Sequence, residues 1–538
     1  MISFFPRPLF VLLALAACRG EDPTSPSPPP FVEVACTPDQ PAPYPSGLPY
    51  VGIHANAAND DVVPCETADN YRQAWHALKG RGVVQPATMS PDGETLYVTT
   101  TTAETDGCTV SALAVADGAE EWCLALPTDV AASAVEVDDN GDLFLSAGGQ
   151  LLSFDASGAE RWSTPLWPAD ATPADEDLSA YTGYGVHFTA DGYVATVTAA
   201  GLVAVADRSD GTLVATLDLP TAFGLVPPAP TLLSGFDLIS LMPPDVVDDI
   251  ESIFGDNSSE ALGSFFGSGT NFSDNTIAIS PRGDFYIIGG GPDEDHGAMV
   301  KVEVSTGPTL SPGWMTVTRP GSAATPSVTP DGRWVAASDG TATRDLMDPE
   351  SGDATVFAVD VDACDANTDG DPDRLICAVA WEHALQRGPM PGAPALLPDG
   401  RVWFYELGFS LDSDPTARDL VRVGPDGAEV EAVLPDELEW NSVLTITDNH
   451  MIGTASVIVP SDELMAGITL PSETLDELVV VSREDASVVF RAPITDDSAA
   501  TVSLGPDGSL YVGLLGLTTV MAVDERPTLG LVRFRPIE

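Results

Sequence analysis

The chain has 538 residues, 44% of them hydrophobic, and its 81 acidic against 22 basic residues give a formal net charge of −59 at neutral pH. A surface of that charge repels nucleic-acid phosphates and anionic lipid headgroups, which excludes nucleic acid as a partner and leaves a membrane reachable only through a covalent anchor. It would attract metal cations or a basic protein, although dispersed acidity also serves solubility alone.

Residues 1–17 predict a lipoprotein signal peptide. Arg7 lies in a short front end, and the apolar run of residues 9–17 is too short to span a bilayer as a permanent helix. Residues 15–18 (Leu-Ala-Ala-Cys) resemble the bacterial lipobox, in which the cysteine becomes the lipidated first residue of the mature protein. We expect lipidation of Cys18, with ordinary cleavage as the alternative, and hence a lipid-anchored protein of the bacterial cell envelope.

Residues 18–30 read as a stalk that begins at the lipidated cysteine. Positions 19–30 are RGEDPTSPSPPP, a composition that stays extended and unpacked. In some bacteria, an aspartate directly after the lipidated cysteine is associated with retention in the inner membrane. This chain has Arg19 there, which favours the outer membrane. The protein would then face the periplasm or the cell surface.

A turn followed by an apolar strand recurs eight times between residues 67 and 538. The turns read Pro-Asp-Gly or a variant of it and recur roughly every 50 residues, with one longer gap. They are centred on Asp92, Asn140, Asp191, Arg282, Asp331, Asp399, Asp448 and Asp507. Each bends the chain into a strand-like segment such as residues 95–98. The period therefore predicts modular β units.

The second half of each unit reads as a hairpin with a closing strand. A turn residue is followed four positions later by an aromatic residue, in the pairs Gly118–Trp122, Gly158–Trp162, Ala486–Phe490 and Gly530–Phe534. One hairpin cannot bury both of its faces, whereas a ring of hairpins can. We expect an all-β domain over residues 67–538, a β-propeller of eight four-stranded blades, with seven blades as the alternative.

Residues 151–162 (LLSFDASGAERW) resemble the PQQ-like (quinoprotein) β-propeller repeat, and residues 112–122 and 203–215 are weaker copies of it. The resemblance implies the same ring architecture. It also implies a hypothesis about activity, that of a PQQ-dependent dehydrogenase. In those enzymes the quinone lies in the central channel with calcium and a catalytic aspartate. Those enzymes commonly carry two adjacent cysteines, and this chain has none. We therefore do not expect PQQ, and we assign no residue as its ligand.

Seven cysteines without Cys18 leave an even set, as suits an oxidising compartment. Residues 31–66 are irregular and should form a small stapled cap or strap on the ring. The pairing that we favour is local throughout, although six cysteines allow fifteen pairings. It joins Cys36 to Cys65, Cys108 to Cys123, and Cys364 to Cys377.

An acidic loop over residues 364–377 has ordered spacing. Oxygen-bearing side chains alternate, with glycine in sixth place, as in the first half of an EF-hand loop. The candidate metal ligands are Asp365, Asn367, Asp369, Asp371 and Asp373. Ile376 stands where that loop has a bidentate glutamate, so we expect weak or structural calcium binding that orders a blade hairpin. The alternative is a solvated acidic loop.

A second insertion, at about residues 220–271, carries apolar residues at helical intervals. It predicts a short helical insertion on a blade loop. This insertion either presents a binding surface or packs its apolar side onto the ring.

No catalytic residues are predicted. The six histidines are scattered, without the spacing of a metal site, and no nucleophile elbow, phosphate-binding loop or zinc motif occurs. The sequence favours a non-catalytic envelope lipoprotein whose propeller binds other envelope proteins through its face loops. The alternatives are the PQQ-dependent dehydrogenase and a surface carbohydrate-binding propeller, whose sign would be a cluster of exposed aromatic side chains.

Overall fold

The computed structural model shows a ring of eight antiparallel β-sheets. It describes residues 29–101, 107–126, 132–168, 178–227, 272–273, 275–319, 324–339, 354–366, 376–385, 392–405, 420–424, 427, 429–433, 439–465, 468–498, 500–516 and 528–538. Strands are numbered β1 to β33 along the chain, and each sheet is one blade; in blades 1 to 6 the first strand lies innermost. The eight-bladed propeller predicted from the turn period is confirmed.

The first four blades follow the chain without interruption of strand order. Blade 1 comprises β2 (Thr88–Met89), β3 (Thr95–Thr99), β4 (Val110–Ala114) and β5 (Glu120–Leu124). Blade 2 comprises β6 (Glu136–Val137), β7 (Leu143–Ala147), β8 (Gln150–Phe154) and β9 (Glu160–Pro165). Blade 3 comprises β10 (Gly183–Phe188), β11 (Val194–Thr198), β12 (Leu202–Ala206) and β13 (Leu213–Asp218). Blade 4 comprises β14 (Ala278–Ile279), β15 (Phe285–Gly290), β16 (Gly297–Ser305) and β17 (Thr309–Thr318).

The remaining blades include one with a fifth strand and one that closes the ring. Blade 5 comprises β18 (Ser327–Val328), β19 (Trp334–Ser338), β20 (Thr355–Asp360) and β21 (Trp381–Ala384). Blade 6 comprises β22 (Ala395–Leu396), β23 (Val402–Tyr405), β24 (Leu420–Val423) and β25 (Glu429–Val433). Blade 7 comprises β26 (Glu439–Trp440), β27 (Thr445–Ile446), β28 (His450–Met465), β29 (Ile468–Ser482) and β30 (Val488–Pro493). Blade 8 comprises β31 (Ser503–Leu504), β32 (Leu510–Leu514), β33 (Gly530–Pro536) and, as its outer strand, β1 (Tyr71–Ala77).

Blade 8 joins the two ends of the domain. Strand β1 pairs with β33 in a register that runs from Tyr71 opposite Pro536 to Ala77 opposite Leu531. The interpretation of Gly530 and Phe534 as a hairpin before a fourth strand is therefore wrong, because Gly530 begins the third strand. The fourth strand comes from the start of the domain, where no local turn signal marks it.

The predicted turns connect the innermost strand of each blade to the second strand. In blade 1, the Asp92 carboxylate accepts hydrogen bonds from Ser90 Oγ (2.6 Å) and from the Glu94 amide (3.0 Å). Gly93 has a φ of +71°, which glycine adopts without steric cost. All eight turns lie at the same end of the ring, which we call the turn face.

Tryptophans on outer strands connect successive blades. Trp75 Nε1 donates to the Val115 carbonyl (3.1 Å), Trp122 Nε1 to that of Ala156 (3.2 Å), and Trp162 Nε1 to that of Arg208 (3.1 Å). Each acceptor lies in the hairpin between the third and fourth strands of the next blade, near a glycine on which the indole packs. The glycine and the tryptophan of each Gly-to-Trp pair therefore also serve contacts between blades. Each tryptophan packs on the glycine of the next blade.

Two short helices interrupt the described strands. The first, α1 (Leu219–Phe223), is capped by the Asp218 side chain and ends at Gly224, which has a φ of +66°. It begins the predicted insertion, whose residues 228–271 lie outside the described part. The second, α2 (Val361–Ala366), follows β20 and contains the start of the acidic loop. Neither helix is long and apolar enough to cross a membrane.

The hairpin formed by β28 and β29 is far longer than the others. The two strands pair from His450 opposite Ser482 to Met465 opposite Ile468, whereas β30 accompanies β29 only between Glu477 and Val481. The far part of the hairpin therefore extends beyond its own blade as a two-stranded ribbon. Because β28 starts at the turn face, the ribbon leaves the ring at the opposite face.

Three disulfides join the predicted cysteine pairs. The Cα atoms are 5.4 Å apart for Cys36–Cys65, 5.6 Å for Cys108–Cys123 and 5.3 Å for Cys364–Cys377, all within the usual range for disulfides. Local pairing is confirmed. Two of the bonds close a connection within one blade, and Cys36–Cys65 joins two parts of the irregular amino-terminal segment.

Candidate functional site

The central channel is the natural place to look for a site, because the innermost strands of all eight blades line it. Hydroxyl groups at the start of these strands connect neighbouring blades. Thr88 Oγ1 donates to the Val135 carbonyl (2.8 Å), and Thr445 Oγ1 donates to the Val502 carbonyl (2.7 Å). The channel wall is therefore polar at the level of the inner strands.

The irregular amino-terminal segment lies inside this channel. Tyr50, Asn59 and Asp61 are at most 1% exposed, and apolar residues of the same segment belong to the cores of several blades. We call residues 43–63 the channel segment. The expectation of a cap or strap on the ring is wrong in this respect: the segment enters the ring, since only there can its apolar side chains and carbonyl groups meet all the inner strands.

Four carbonyl groups of the channel segment bind four successive blades. The carbonyls of Ala57, Ala58, Asp60 and Asp61 accept hydrogen bonds from the amides of Ile279 (2.7 Å), Val328 (2.9 Å), Leu396 (3.3 Å) and Ile446 (2.8 Å) in that order. Each donor is the second residue of an inner strand of blades 4 to 7. Five consecutive residues thus follow the curve of the channel and satisfy buried donors that would otherwise be costly.

Left-handed backbone conformations and side-chain hydrogen bonds within residues 56–61 make this curve tight. Asn59 and Asp61 have φ values of +54° and +52°, a left-handed conformation that Asn and Asp tolerate better than other side chains. The Asn56 amide oxygen accepts from the Ala58 amide (2.9 Å), and its nitrogen donates to Asp60 Oδ1 (2.8 Å). These Asx-type contacts fold the sequence of residues 56–61 (NAANDD) into a compact coil.

Asp61 is a densely bonded carboxylate at the centre of this coil. His54 Nδ1 lies 2.8 Å from Asp61 Oδ2, and the Tyr50 hydroxyl donates to Oδ1 (3.3 Å). The Ala55 amide donates to the same oxygen (3.3 Å). All these donors come from the segment itself, so the carboxylate organises its own loop and is not directed at an external ligand.

Asp60 and Glu136 are buried carboxylates with raised affinity for a proton. Burial raises the pKa of Asp60 to about 7, against the lowering effect of hydrogen bonds from Val62 and Asn56. Burial likewise raises the pKa of Glu136, opposed by His187, whose Nδ1 lies 3.3 Å from Glu136 Oε1. A Cβ on Gly52 would overlap Glu136 Oε2, so a larger residue there would require the Glu136 side chain to move.

Whether this channel could hold a quinone cofactor depends on what occupies and lines it. The channel segment occupies it, and inner-strand amides of blades 4 to 7 are bonded to that segment. The buried acidic groups facing the space include Asp60, Asp61 and Glu136, whose negative charge, where ionised, would repel the three carboxylates of PQQ.

Asp365, the first predicted calcium ligand, binds neighbouring protein groups. Its Oδ1 accepts from Lys301 Nζ (2.8 Å) and from Trp314 Nε1 (3.0 Å), both in blade 4. Asp365 lies near the end of α2 in blade 5. Its carboxylate accepts from the indole N–H of the preceding blade, as a hairpin carbonyl does between blades elsewhere in the ring. The other candidate ligands, Asn367, Asp369, Asp371 and Asp373, lie outside the described residues, and the calcium site stays a prediction.

Two further candidates involve cysteine. Cys18 lies outside the described residues, so its lipidation stays a prediction. Within the described part, one group of three metal-ligand side chains lies close together, formed by Cys108, Glu120 and Cys123. Its two sulfurs are bonded to each other, which leaves no thiolate for a metal.

The cluster around His54 and Asp61 is a feature that sequence reasoning missed. Its members belong to a segment without periodicity, and they meet because the channel forces the segment into a coil. The only local signal was the run of Asn and Asp at residues 56–61, which is typical of a tight turn and does not identify its surroundings.

No known protein family matches this sequence, and no curated protein is similar to it. Among solved structures, the chain is similar to the quinohemoprotein alcohol dehydrogenase ADHIIG from Pseudomonas putida HK5, with a TM-score of 0.52, 14% identity, and coverage of 90% of this chain and 80% of that one. The quinohemoprotein alcohol dehydrogenase from Comamonas testosteroni gives the same score and coverage at 12% identity. BamB from Moraxella catarrhalis covers 82% of this chain and 94% of its own, with a TM-score of 0.42 and 13% identity. At these identities the likeness to the dehydrogenases establishes the eight-bladed propeller fold, and only the fold.

Proposed function

We propose that this protein is a non-catalytic lipoprotein of the bacterial envelope whose propeller holds other proteins at its faces. The observation that carries the proposal is the channel segment, which fills the space where a propeller enzyme of the quinoprotein kind would hold its cofactor. A ring sealed by its own chain offers its faces and loops for function. The anchor at Cys18 and the stalk of residues 18–30 would hold those faces close to the membrane.

The ribbon of blade 7 adds a surface suited to this role. Its strands leave the ring between Val457 and Leu475 and carry backbone groups at their outer edges. Exposed strand edges are a common site for pairing with another chain. Leu475, at the base of the ribbon, is 51% exposed, which is the largest exposure among the described large apolar side chains.

The carbohydrate-binding alternative receives no such support. It called for exposed aromatic side chains, but the exposed large apolar residues in the described ranges are all aliphatic. They are Leu213, Val214, Val226, Ile376, Leu475 and Val489. Stacking on a sugar ring needs an aromatic face, and none of these exposed residues provides one.

The test uses two measurements on the same protein. Calorimetric titration of residues 19–538 with PQQ, with and without calcium, should show no binding, and a dye-reduction assay on alcohols and aldose sugars should show no turnover. Proximity labelling by the full chain in its own envelope should enrich reproducible neighbours over a control in which residues 1–30 alone carry the labelling enzyme. Turnover, or labelling equal to the anchor-only control, would refute the proposal.

A further inference from the structure

Three arginines converge on one cleft between blades 6 and 7 at the turn face. Arg401 follows the turn of blade 6, Arg422 lies in β24, and Arg483 follows β29. The cleft encloses about 440 Å³, a volume within the range of small-ligand sites. In a chain with 22 basic and 81 acidic residues, the cleft gathers three guanidinium groups against three carboxylates, Asp69, Asp448 and Glu484, which is a local enrichment in positive charge.

Arg483 is the central member of this group. Among the described residues its guanidinium donates to one acceptor, the carbonyl of Thr447 (2.5 Å). Burial, and then the nearby charge of Arg401, lower the pKa of Arg483. An arginine nevertheless remains charged at neutral pH, so like charges are held together in a half-buried place. The carboxylates of Asp448 and Asp399 partly offset that repulsion, and a bound anion would offset it further.

The other two arginines are held in position by their neighbours. Arg401 contacts the Asp399 carboxylate through Nη2 (2.6 Å) and Nε (2.7 Å). The Arg422 guanidinium lies 5.2 Å from the centre of the Trp403 ring, which is buried. Such contacts fix the orientation of a guanidinium and lower the entropy that it loses on binding.

We propose that this cleft binds a small anion through a carboxylate or phosphate group. Guanidinium groups present paired N–H donors that match the oxygens of either group. Acidic residues at the rim, Asp69, Asp448 and Glu484, repel further negative charge and thereby favour a compact anion over a long polyanion. The inference is independent of the scaffold function, since it concerns a small ligand on the turn face.

Calorimetric titration of residues 19–538 with inorganic phosphate and with citrate, at physiological ionic strength, tests this proposal. We expect saturation by at least one of them near about 1 mM, and the stronger of the two shows whether the natural group is a phosphate or a carboxylate. Arg483→Ala should weaken binding by about tenfold or more, the loss of one charge-assisted contact. Arg483→Lys, which keeps the charge without the fork, should lose less.

The matched control is Arg333→Ala. Arg333 follows the turn of blade 5 as Arg401 follows that of blade 6, and it pairs with Asp360 (3.0 Å) outside the cleft. Its replacement should leave anion binding unchanged. Thermal unfolding of each variant separates lost binding from lost folding, and Arg401→Ala provides a second variant if Arg483→Ala is unfolded. Absence of saturation by either anion, or an equal loss in Arg333→Ala, would overturn the proposal.

Discussion

Asp60 is a buried carboxyl group of the channel segment whose protonation should affect stability. It is 4% exposed, and burial raises its pKa to about 7 from an ordinary 3.8. Between these two values Asp60 binds a proton in the folded protein that it does not bind in the unfolded chain, so its contribution to stability falls as pH rises from about 4 to about 7 and is constant beyond that window. Three pKa units correspond to about 4 kcal/mol.

We predict that Asp60→Asn removes much of this pH dependence. The amide can keep a hydrogen bond to Val62 but carries no titrating charge, so urea unfolding of the variant should change less between those two pH values than that of the native chain. Asp191→Asn, at an exposed turn, controls for the general loss of negative charge. Parallel pH profiles for the native chain and Asp60→Asn would show that Asp60 does not titrate in this way.

A second prediction separates two roles of the acidic loop. Asp365→Ala should lower the melting temperature even in EDTA, because it leaves Lys301, which is 4% exposed, and Trp314 without their shared acceptor. We expect a loss of roughly 1–3 kcal/mol. Asp369→Ala should have no effect in EDTA. If Asp365→Ala were also silent in EDTA, the contact between blades would be unimportant.

Contacts between blades depend on a recurring pair, an outer-strand tryptophan and the hairpin glycine of the next blade. Gly211 has a φ of +74°, and a Cβ there would lie 2.5 Å from Trp162. Gly192 has a φ of +83° with open space around it. Both positions need glycine for conformation, but only Gly211 needs it for packing.

We therefore predict unequal costs for two similar substitutions. Gly192→Ala should cost about 1 kcal/mol, the strain of a left-handed alanine. Gly211→Ala should cost about 2 kcal/mol more, because the methyl group displaces the Trp162 indole from its hairpin. Equilibrium urea unfolding of both variants measures the difference. Equal midpoints would mean that the indole shifts at little cost and that the Trp-to-Gly contact is not a main tie between blades.

The sequence predicted the blades well and the channel poorly, for different physical reasons. Blade count followed from the turns and the Gly-to-Trp spacing, which are local signals with fixed conformational causes. Local disulfides followed from short cysteine separations. The site residues His54, Asp60 and Asp61 lie in a segment without periodicity, and its partners, such as Ile279 and Ile446, are hundreds of positions away. No local pattern encodes such contacts.

The ring and its channel segment form one structure, closed at the turn face. The Cys36 amide donates to the Pro506 carbonyl in the turn of blade 8 (2.9 Å), and the Cys65 carbonyl accepts from the Asp448 amide of blade 7 (2.8 Å). The disulfide between them joins the two stretches of chain that flank the channel segment. Burial and these bonds make the segment part of the core despite its irregular backbone.

Hydrogen exchange provides the corresponding prediction. Peptides from residues 50–63 should exchange as slowly as those from β23, because opening them requires the ring to open. Peptides from the ribbon, which lies outside the ring, should exchange faster and serve as the internal reference. Exchange of residues 50–63 at the rate of the ribbon would show that the segment leaves the channel readily, and the argument against a channel cofactor would lose its basis.

The pairing of β1 with β33 has a consequence for how this chain reaches its native state. Tyr71 and Pro536 are partners, and the Trp75 strand has no neighbour within its own sheet until almost the entire domain has been made. A contact between such distant residues forms late and slowly, because a very long loop must close first. The channel segment is synthesised earlier still, so blades 4 to 7 assemble around a segment of chain that is already present and that takes its coiled form as they do. We therefore expect the pairing of β33 with β1 to be a late step in folding. Until it forms, β1 has an unpaired edge.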